Sequence, residues 1–185
     1  MAVEVTAGLT LEQENQLVEL LGKIKQPWSR QFYNAIAPHV ALTAIETVFL
    51  RAGPSGGLKS EVLLHKRPET DIPEWRGRSA SPGSMLRATD HSYEDAVRRV
   101  KRELGGARLR YRAEPVASIF NMTERGPENG IVLACELVDE PPPSFWWHSV
   151  YTLPYDLLRH HYGFLEAILV WYNLEFNDRN LNESL

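Results

Sequence analysis

The chain has 185 residues, of which 43% are hydrophobic and 24% are charged, with 24 acidic against 20 basic side chains. A chain of this length and apolar content can bury a sizeable core, which excludes a wholly disordered protein. The formal net charge of −4 gives no overall attraction to nucleic acid or to an anionic membrane, so we expect neither as a partner. A small molecule or a protein is the favoured partner.

Residues 1–43 are predicted to form an N-terminal helical extension. Leucines recur at helical spacing in 9–24, and Thr10 followed by Gln13 has the pattern of a capping box. Residues 29–36 predict a second, short helix. No basic segment followed by an apolar run precedes these helices, and the longest apolar run in the chain is too short to span a bilayer. We therefore predict a cytoplasmic protein.

Two paired strands are predicted to follow the extension. Residues 44–51 and 60–66 are rich in valine, isoleucine, leucine and threonine, which favour extended structure. Glycine, proline and serine fill 53–57 between them and predict a turn. Residues 67–89, which contain several prolines and glycines, predict an irregular segment.

The middle of the chain predicts a loop, a helix and a helix stop in residues 90–106. Ser92 and Asp95 have the spacing of a capping box, and two adjacent glycines end the helix. Beyond the helix, 107–121 and 131–138 predict two strands, with Asn129 and Gly130 in the turn that joins them.

The last part of the chain predicts a closing helix over 155–172 and a flexible tail over 173–185. The single cysteine, Cys135, lies in an apolar run and is interpreted as a buried thiol. Aromatic residues in 145–147 predict core packing between the last helix and the sheet, with a homodimer surface as the second interpretation. Strands around a central helix indicate one layered α/β domain over 44–172.

Pro82-Gly83-Ser84, then Asp90, then Arg98-Arg99-Val100-Lys101-Arg102-Glu103-Leu104-Gly105 follow one another at fixed spacing. This pattern resembles the Nudix box, G-x5-E-x7-R-E-U-x-E-E-x-G-U, where U is a bulky apolar residue. The residues that match the box are Arg98, Val100, Glu103 and Gly105. The residues that depart from it are Ser84 at the opening glycine, Asp90 at the first glutamate, Arg99 and Arg102 at two metal-binding glutamates, and Gly106 at the final apolar position. The resemblance implies a Nudix-like α/β/α sandwich with a mixed β-sheet. The alternative is a solvated helix in another α/β domain.

In the Nudix family the box glutamates hold magnesium, which bridges a diphosphate while water attacks phosphorus. Two arginines on that helix face would each repel a magnesium ion about 5 Å away by roughly 6 kcal/mol at an effective dielectric near 20. Glu103 and Asp90 are the remaining candidate metal ligands, and Glu103 is the candidate catalytic acid. In one interpretation Arg99 pairs with Asp95 or Glu103, and Arg98 pairs with Glu94.

The other interpretation is that the arginines bind phosphate directly, without a metal. The candidate ligand-binding residues are Arg67, Trp75, Gly83, Arg98, Arg99 and Arg102. Trp75 could instead cap the core.

Two functions remain open. The favoured one is a Nudix-like domain with a degenerate box that binds a nucleotide-like diphosphate or a protein partner with little or no hydrolysis. The alternative is a magnesium-dependent Nudix hydrolase of nucleoside diphosphate derivatives that uses Glu103 and non-standard acids.

Overall fold

A computed structural model describes residues 8–25, 28–53 and 59–182 of the chain, with side chains through residue 172. The helices are α1 (Leu11–Lys23), α2 (Arg30–Ile36), α3 (Tyr93–Glu103) and α4 (Arg159–Asn182), and Ala37–His39 forms a 3₁₀ turn. The strands are β1 (Leu42–Ala52), β2 (Lys59–Lys66), β3 (Ser79–Ala80), β4 (Gly83–Met85), β5 (Glu114–Thr123), β6 (Gly126–Cys135) and β7 (Phe145–Ser149).

The strands form one mixed β-sheet in the order β3-β2-β1-β6-β5, with β4 paired to β1 and β7 paired to β2. Strands β1 and β6 run parallel, whereas the other pairs are antiparallel. Helices α3 and α4 cover opposite faces of this sheet, which confirms the predicted α/β/α sandwich with N-terminal helices.

The alternation of side chains along β1 separates two apolar cores. Ile45 and Phe49 pack with buried residues of α3, whereas Val48 and Leu50 pack with buried residues of α4. Helix α3 contributes one apolar face to the first core and begins at the predicted capping box of Ser92 and Asp95. The sheet is therefore buried on both faces around its centre, and functional side chains must lie near the ends of its strands.

A cleft opens where β1 and β2 separate. The two strands pair only through residues 50–52 and 59–62. Farther along, β1 pairs with β4 and β2 pairs with β3, so the segment that carries β3 and β4 lies between them. This segment immediately precedes the loop and helix that resemble the Nudix box.

The predicted hairpin turn at Asn129 and Gly130 is wrong. The turn lies at residues 124–125, and both predicted turn residues belong to β6. Gly130 serves a different purpose, because a Cβ there would lie 2.7 Å from the ring of Phe164. The absence of a side chain at Gly130 allows α4 to approach the sheet closely.

Other boundaries also differ from the predictions. Strand β5 begins seven residues after the predicted start at Ala107, β7 was not predicted as a strand, and α4 starts at Arg159 and continues to Asn182. Most of the predicted turn at 53–57 lies outside the described residues. The division into 1–43, 44–172 and 173–185, and the flexibility of the last segment, stay predictions.

Two further findings concern burial and helix length. Cys135 is buried, as predicted. Among the described residues, no helix combines the length and apolar character needed to cross a bilayer.

Gly126 provides a test of the turn that the structure places at 124–125. Its φ is +126°, and a Cβ there would lie 2.5 Å from the carbonyl oxygen of Ala37. We expect Gly126→Ala to lower the free energy of unfolding by about 2 kcal/mol, because both the backbone and the contact become strained. Urea denaturation measures this change.

The matched control is Gly163→Ala in α4, where the added methyl group would meet only Ile119 at 3.9 Å. We expect this variant to be neutral or stabilised by up to about 1 kcal/mol, because alanine favours a helix. An equal loss of stability in both variants would contradict the assignment of the turn.

Candidate functional site

Arg99 is held inside the protein at the position of a metal-binding glutamate of the Nudix box. Only 9% of this residue is exposed. Its Nη1 and Nη2 donate to the two carboxylate oxygens of Asp90 at 2.6 and 2.7 Å. Its Nε donates to Ser84 Oγ at 2.9 Å, and Nη2 also donates to the carbonyl oxygen of Met85 at 2.7 Å. One guanidinium thus ties α3 to the preceding loop and to β4.

This contact fixes the charge state of Asp90. The hydrogen bonds from Arg99 hold the pKa of Asp90 below its usual value, helped by the backbone N–H of Arg87. The predicted pairing of Arg99 with Asp95 or Glu103 is therefore wrong, because Asp90 is the partner. The predicted pairing of Arg98 with Glu94 is also wrong, since Arg98 pairs with Asp95 and Glu94 pairs with Arg112.

The box residues do not fit magnesium. A magnesium ion needs oxygen ligands, but the carboxylate of Asp90 is already satisfied by a guanidinium. Arg102 is exposed, and Glu103 is the one remaining acid of the box positions. No group of three or more potential metal ligands is present within the described ranges.

A cavity of about 380 Å³ lies at the mouth of the cleft between β1 and β2. We call it the arginine-lined cavity. Its ionisable lining consists of Arg30, Arg67, Arg87, Arg125, Tyr33, His65, Glu46 and Glu103. Trp28 and Tyr33 are the aromatic residues of the lining, and we call them the aromatic wall.

Three of the predicted site residues meet at this cavity. Arg67, Gly83 and Glu103 all belong to its lining. The Nε of Arg67 donates to the buried carboxylate of Asp71 at 2.8 Å, which fixes the arginine side chain. Gly83 leaves space for Glu46, because a Cβ at Gly83 would lie 2.7 Å from Glu46 Oε2. Partial burial raises the pKa of Glu103.

The other predicted ligand-binding residues lie apart from the cavity lining. Trp75 is only 1% exposed, and its Nε1 donates to Glu124 at 2.8 Å. It packs in the core with Ala80, which agrees with the interpretation that Trp75 caps the core. Arg98 and Arg102 are exposed on α3. Arg99 lies beneath the loop, where its guanidinium is occupied by the contacts described above.

Sequence reasoning missed a buried set of charged side chains beside the cavity. Arg125 is 8% exposed, and its Nη2 donates to Glu128 Oε2 at 2.6 Å. Its guanidinium also lies 4.2 Å from the ring centre of Trp75. Glu46 is 7% exposed, and burial together with the nearby Glu128 raises its pKa to about 8. The sequence did carry a signal for Glu46, because it is the single acidic residue inside the apolar run of β1.

A buried histidine contacts the same region from α4. His161 Nδ1 accepts a hydrogen bond from the backbone N–H of Ser81 at 3.2 Å and lies 2.7 Å from Ser81 Oγ. Burial places the pKa of His161 well below its usual value, so the ring is neutral. Ser81 Oγ also lies 3.5 Å from Glu46 Oε2. Ser81 thus lies between this neutral histidine and Glu46, whereas the charges of Glu128, Arg67 and Arg125 act on the pKa of Glu46.

A larger cavity of about 570 Å³ lies near Val48, Leu50 and Ile168. Its described lining includes Cys135, whose thiol pKa is raised by burial. The sequence-predicted site residues lie at the other cavity, so this one is separate from the box.

Comparison with known proteins identifies the fold. No protein-family model and no curated protein matches the chain. The MutT Nudix hydrolase from Burkholderia pseudomallei is 21% identical, with a TM-score of 0.57, and the match covers 70% of this chain and 99% of that one. The Nudix domain of Shewanella oneidensis NrtR, complexed with ADP ribose, is 18% identical with a TM-score of 0.51. That match covers 82% of this chain and 95% of that one.

A third similar structure is a possible asymmetric diadenosine tetraphosphate hydrolase from Jonesia denitrificans. It is 13% identical, with a TM-score of 0.53, and the match covers 71% of this chain and 94% of that one. At these identities the likeness establishes the fold alone. The chain has a Nudix-like fold, which confirms the resemblance found in its sequence.

The pair of Arg99 and Asp90 can be tested by a double-mutant cycle. We expect Arg99→Met to lower the free energy of unfolding by about 3 kcal/mol, because it leaves a buried carboxylate without its cation. Adding Asp90→Asn should recover part of this loss, since the uncompensated charge is removed. Urea denaturation of the four proteins measures the coupling.

Arg102→Met is the matched control, because Arg102 is an exposed arginine on the same helix. It should change the free energy of unfolding by less than about 0.5 kcal/mol. We call the pair of Arg99 and Asp90, with its contacts to Ser84 and Met85, the clamp. Additive effects of the Arg99 and Asp90 substitutions on the free energy of unfolding would contradict it.

Glu46 should make stability depend on pH between about 6.5 and 8. In this window the folded chain keeps a proton on Glu46 that the unfolded chain has released, so stability falls as pH rises, by about 1.4 kcal/mol per pH unit. The buried histidines, with lowered pKa values, affect stability only below about pH 6.5. Chemical denaturation at several pH values measures the slope.

Glu46→Gln is the control for this dependence, because glutamine keeps the size of the side chain and does not ionise. The variant should show a flat stability profile across the same window. The same slope in both proteins would exclude Glu46 as its cause.

Proposed function

We propose that the protein binds a nucleotide-like diphosphate in the arginine-lined cavity and does not hydrolyse it by the metal-dependent Nudix route. The observation that carries this proposal is the buried pair of Arg99 and Asp90. It places an internal cation where the family needs metal-binding carboxylates. The same fold is therefore proposed to bind the ligand with arginines.

The charge balance of the cavity favours an anion. Four arginines line it, of which Arg67 is paired with Asp71 and Arg125 with Glu128 just outside the lining, so Arg30 and Arg87 supply the positive charge that faces a ligand. One of the two acids in the lining, Glu46, is largely protonated at pH 7, because its pKa is raised to about 8. Guanidinium groups bind phosphate oxygens through paired hydrogen bonds and need no metal. The cavity can thus hold a diphosphate with its own side chains.

The aromatic wall favours a ligand that also carries a ring. Trp28 and Tyr33 line the cavity on the side of the N-terminal helices. Aromatic faces of this kind stack on planar heterocycles. ADP ribose, bound in the similar Shewanella domain, combines a diphosphate with such a ring, and it supports the same ligand class for this chain.

Glu103 supports the alternative of an active hydrolase. It lines the cavity beside Arg67, where a carboxylate could help to bind a metal together with substrate phosphates. Against this alternative, Arg102 adjoins Glu103, and Asp90 is occupied by Arg99. We therefore propose binding as the function and hydrolysis as the alternative that the experiment must exclude.

The binding proposal predicts that ADP-ribose binds in the presence of a chelator. The double variant Arg30→Ala, Arg87→Ala should weaken binding by at least about tenfold, because two charge-assisted hydrogen bonds to phosphate are lost. Isothermal titration calorimetry in EDTA measures the affinity. The double variant Arg98→Ala, Arg102→Ala removes the same charge outside the cavity and should bind nearly as well as the natural chain.

Hydrolysis is checked on the same ligand with magnesium or manganese. We expect negligible turnover by chromatography of the products. Clear turnover that disappears in Glu103→Gln would establish the alternative. Equal loss of affinity in both double variants would show that the cavity arginines are not the binding site.

A further inference from the structure

Strand β5 forms an open edge of the sheet. It has ten residues and, among the described parts of the chain, pairs only with β6. Strand β7, which pairs only with β2 there, has five residues. An open edge presents N–H and C=O groups that can pair with another chain, so proteins usually shorten such edges or interrupt them with charges, prolines or bulges. Strand β5 is long enough to accept a second strand.

The features that oppose such pairing lie only at the start of β5. Glu114, Pro115 and a register shift between Pro115 and Ala117 occupy this part of the strand. Residues 117–123 contain no charged residue and no proline, and they pair with β6 in regular register. A second strand can therefore approach seven consecutive residues without meeting a charge or a bulge.

The hairpin turn determines which backbone groups of this edge point outward. The turn has two residues, 124–125, so Thr123 and Gly126 form the closing pair, which is hydrogen-bonded in a hairpin of this kind. Because hydrogen-bonded pairs alternate along an antiparallel ladder, the odd-numbered residues of 117–123 direct their N–H and C=O groups to β6. Ser118, Phe120 and Met122 direct theirs outward, and no further strand in the described ranges pairs with them.

The same three residues also share a face of the sheet. Ala117 and Ile119 pack on the side of α4, so the alternate residues Ser118, Phe120 and Met122 lie on the opposite face. Phe120 is 61% exposed and Met122 is 75% exposed. Two large apolar side chains therefore lie beside the outward backbone groups, and a strand added at this edge would cover both.

We propose that this edge pairs with the same edge of a second copy of the chain, antiparallel about a two-fold axis at Phe120. Residue 120 is the middle of 117–123, so Phe120 lies opposite Phe120 of the second copy and Ser118 lies opposite its Met122. The three outward residues then exchange about six main-chain hydrogen bonds, two for each pair. An axis at residue 119 or 121 would pair only two of the three with each other. The two seven-stranded sheets become one continuous sheet.

Charge and side-chain size favour a second copy over an unrelated strand. Residues 117–123 are uncharged, so self-pairing sets no like charges opposite one another. The two Phe120 rings meet at the axis, and each large Met122 side chain lies opposite a small Ser118, which is a favourable arrangement for cross-strand pairs. The paired span is short, so we expect a dissociation constant in the micromolar range. Pairing at this edge requires no ligand in the arginine-lined cavity.

Sedimentation equilibrium of the full chain at several concentrations measures the association, and we expect a monomer–dimer equilibrium. Phe120→Lys and Phe120→Glu should each weaken the dimer at least tenfold, because two like charges would then meet at the axis. An equimolar mixture of these two variants should restore the dimer, since lysine then lies opposite glutamate. Urea denaturation checks that each variant is folded.

A pair of double variants tests the register independently of Phe120. Ser118→Lys with Met122→Glu sets opposite charges across the axis at both ends and should dimerise at least as tightly as the natural chain. Ser118→Lys with Met122→Lys sets like charges there and should dimerise at least tenfold more weakly. Tyr155→Lys is the matched control, because Tyr155 is 99% exposed in the segment that contacts β3, away from β5. It should leave the dissociation constant unchanged.

Two results would overturn the proposal. A natural chain that sediments as a monomer at every concentration would show that β5 does not pair with itself, and the edge would then be left for a strand of a different protein. A dimer that persists equally in Phe120→Lys and in the natural chain would show that association uses another surface. Neither result affects the binding of a diphosphate, which calorimetry measures separately.

Discussion

The buried pair of Arg99 and Asp90 is the interaction on which the candidate site depends. It joins α3 to the preceding loop and to β4, and that loop carries Arg87 to the cavity. A charged pair away from water persists only when its other hydrogen bonds are also made, and Ser84 and Met85 complete them. These contacts between protein atoms hold the geometry of the loop.

Local patterns in the sequence predicted most of the architecture, because capping boxes, apolar alternation and box spacing act over short distances. Ser92 and Asp95 were found in this way. The partner of Arg99 was not, because its contact with Asp90 depends on the path of an irregular loop. Gly130 was misassigned for a related reason. This position must be a glycine because the ring of Phe164, a residue 34 positions away, leaves no space for a Cβ atom.

The charged side chains buried beside the cavity show a second limit of sequence reasoning. Glu46 could have been singled out, since an isolated acid inside a buried strand must have a neighbour or change its pKa. The pairing of Arg125 with Glu128 could not be predicted, because it depends on the turn at residues 124–125, which the sequence placed elsewhere. The two halves of the cavity therefore come from segments far apart in the chain.

The clamp also limits how this sequence can change. Glutamate at position 99 alone would set a second carboxylate against Asp90 and release the loop, whereas loss of Asp90 alone would strand a buried guanidinium. Either single step passes through a less stable protein. Substitutions at the two positions are therefore expected to be tolerated together better than singly, because each single change leaves one buried charge without its partner.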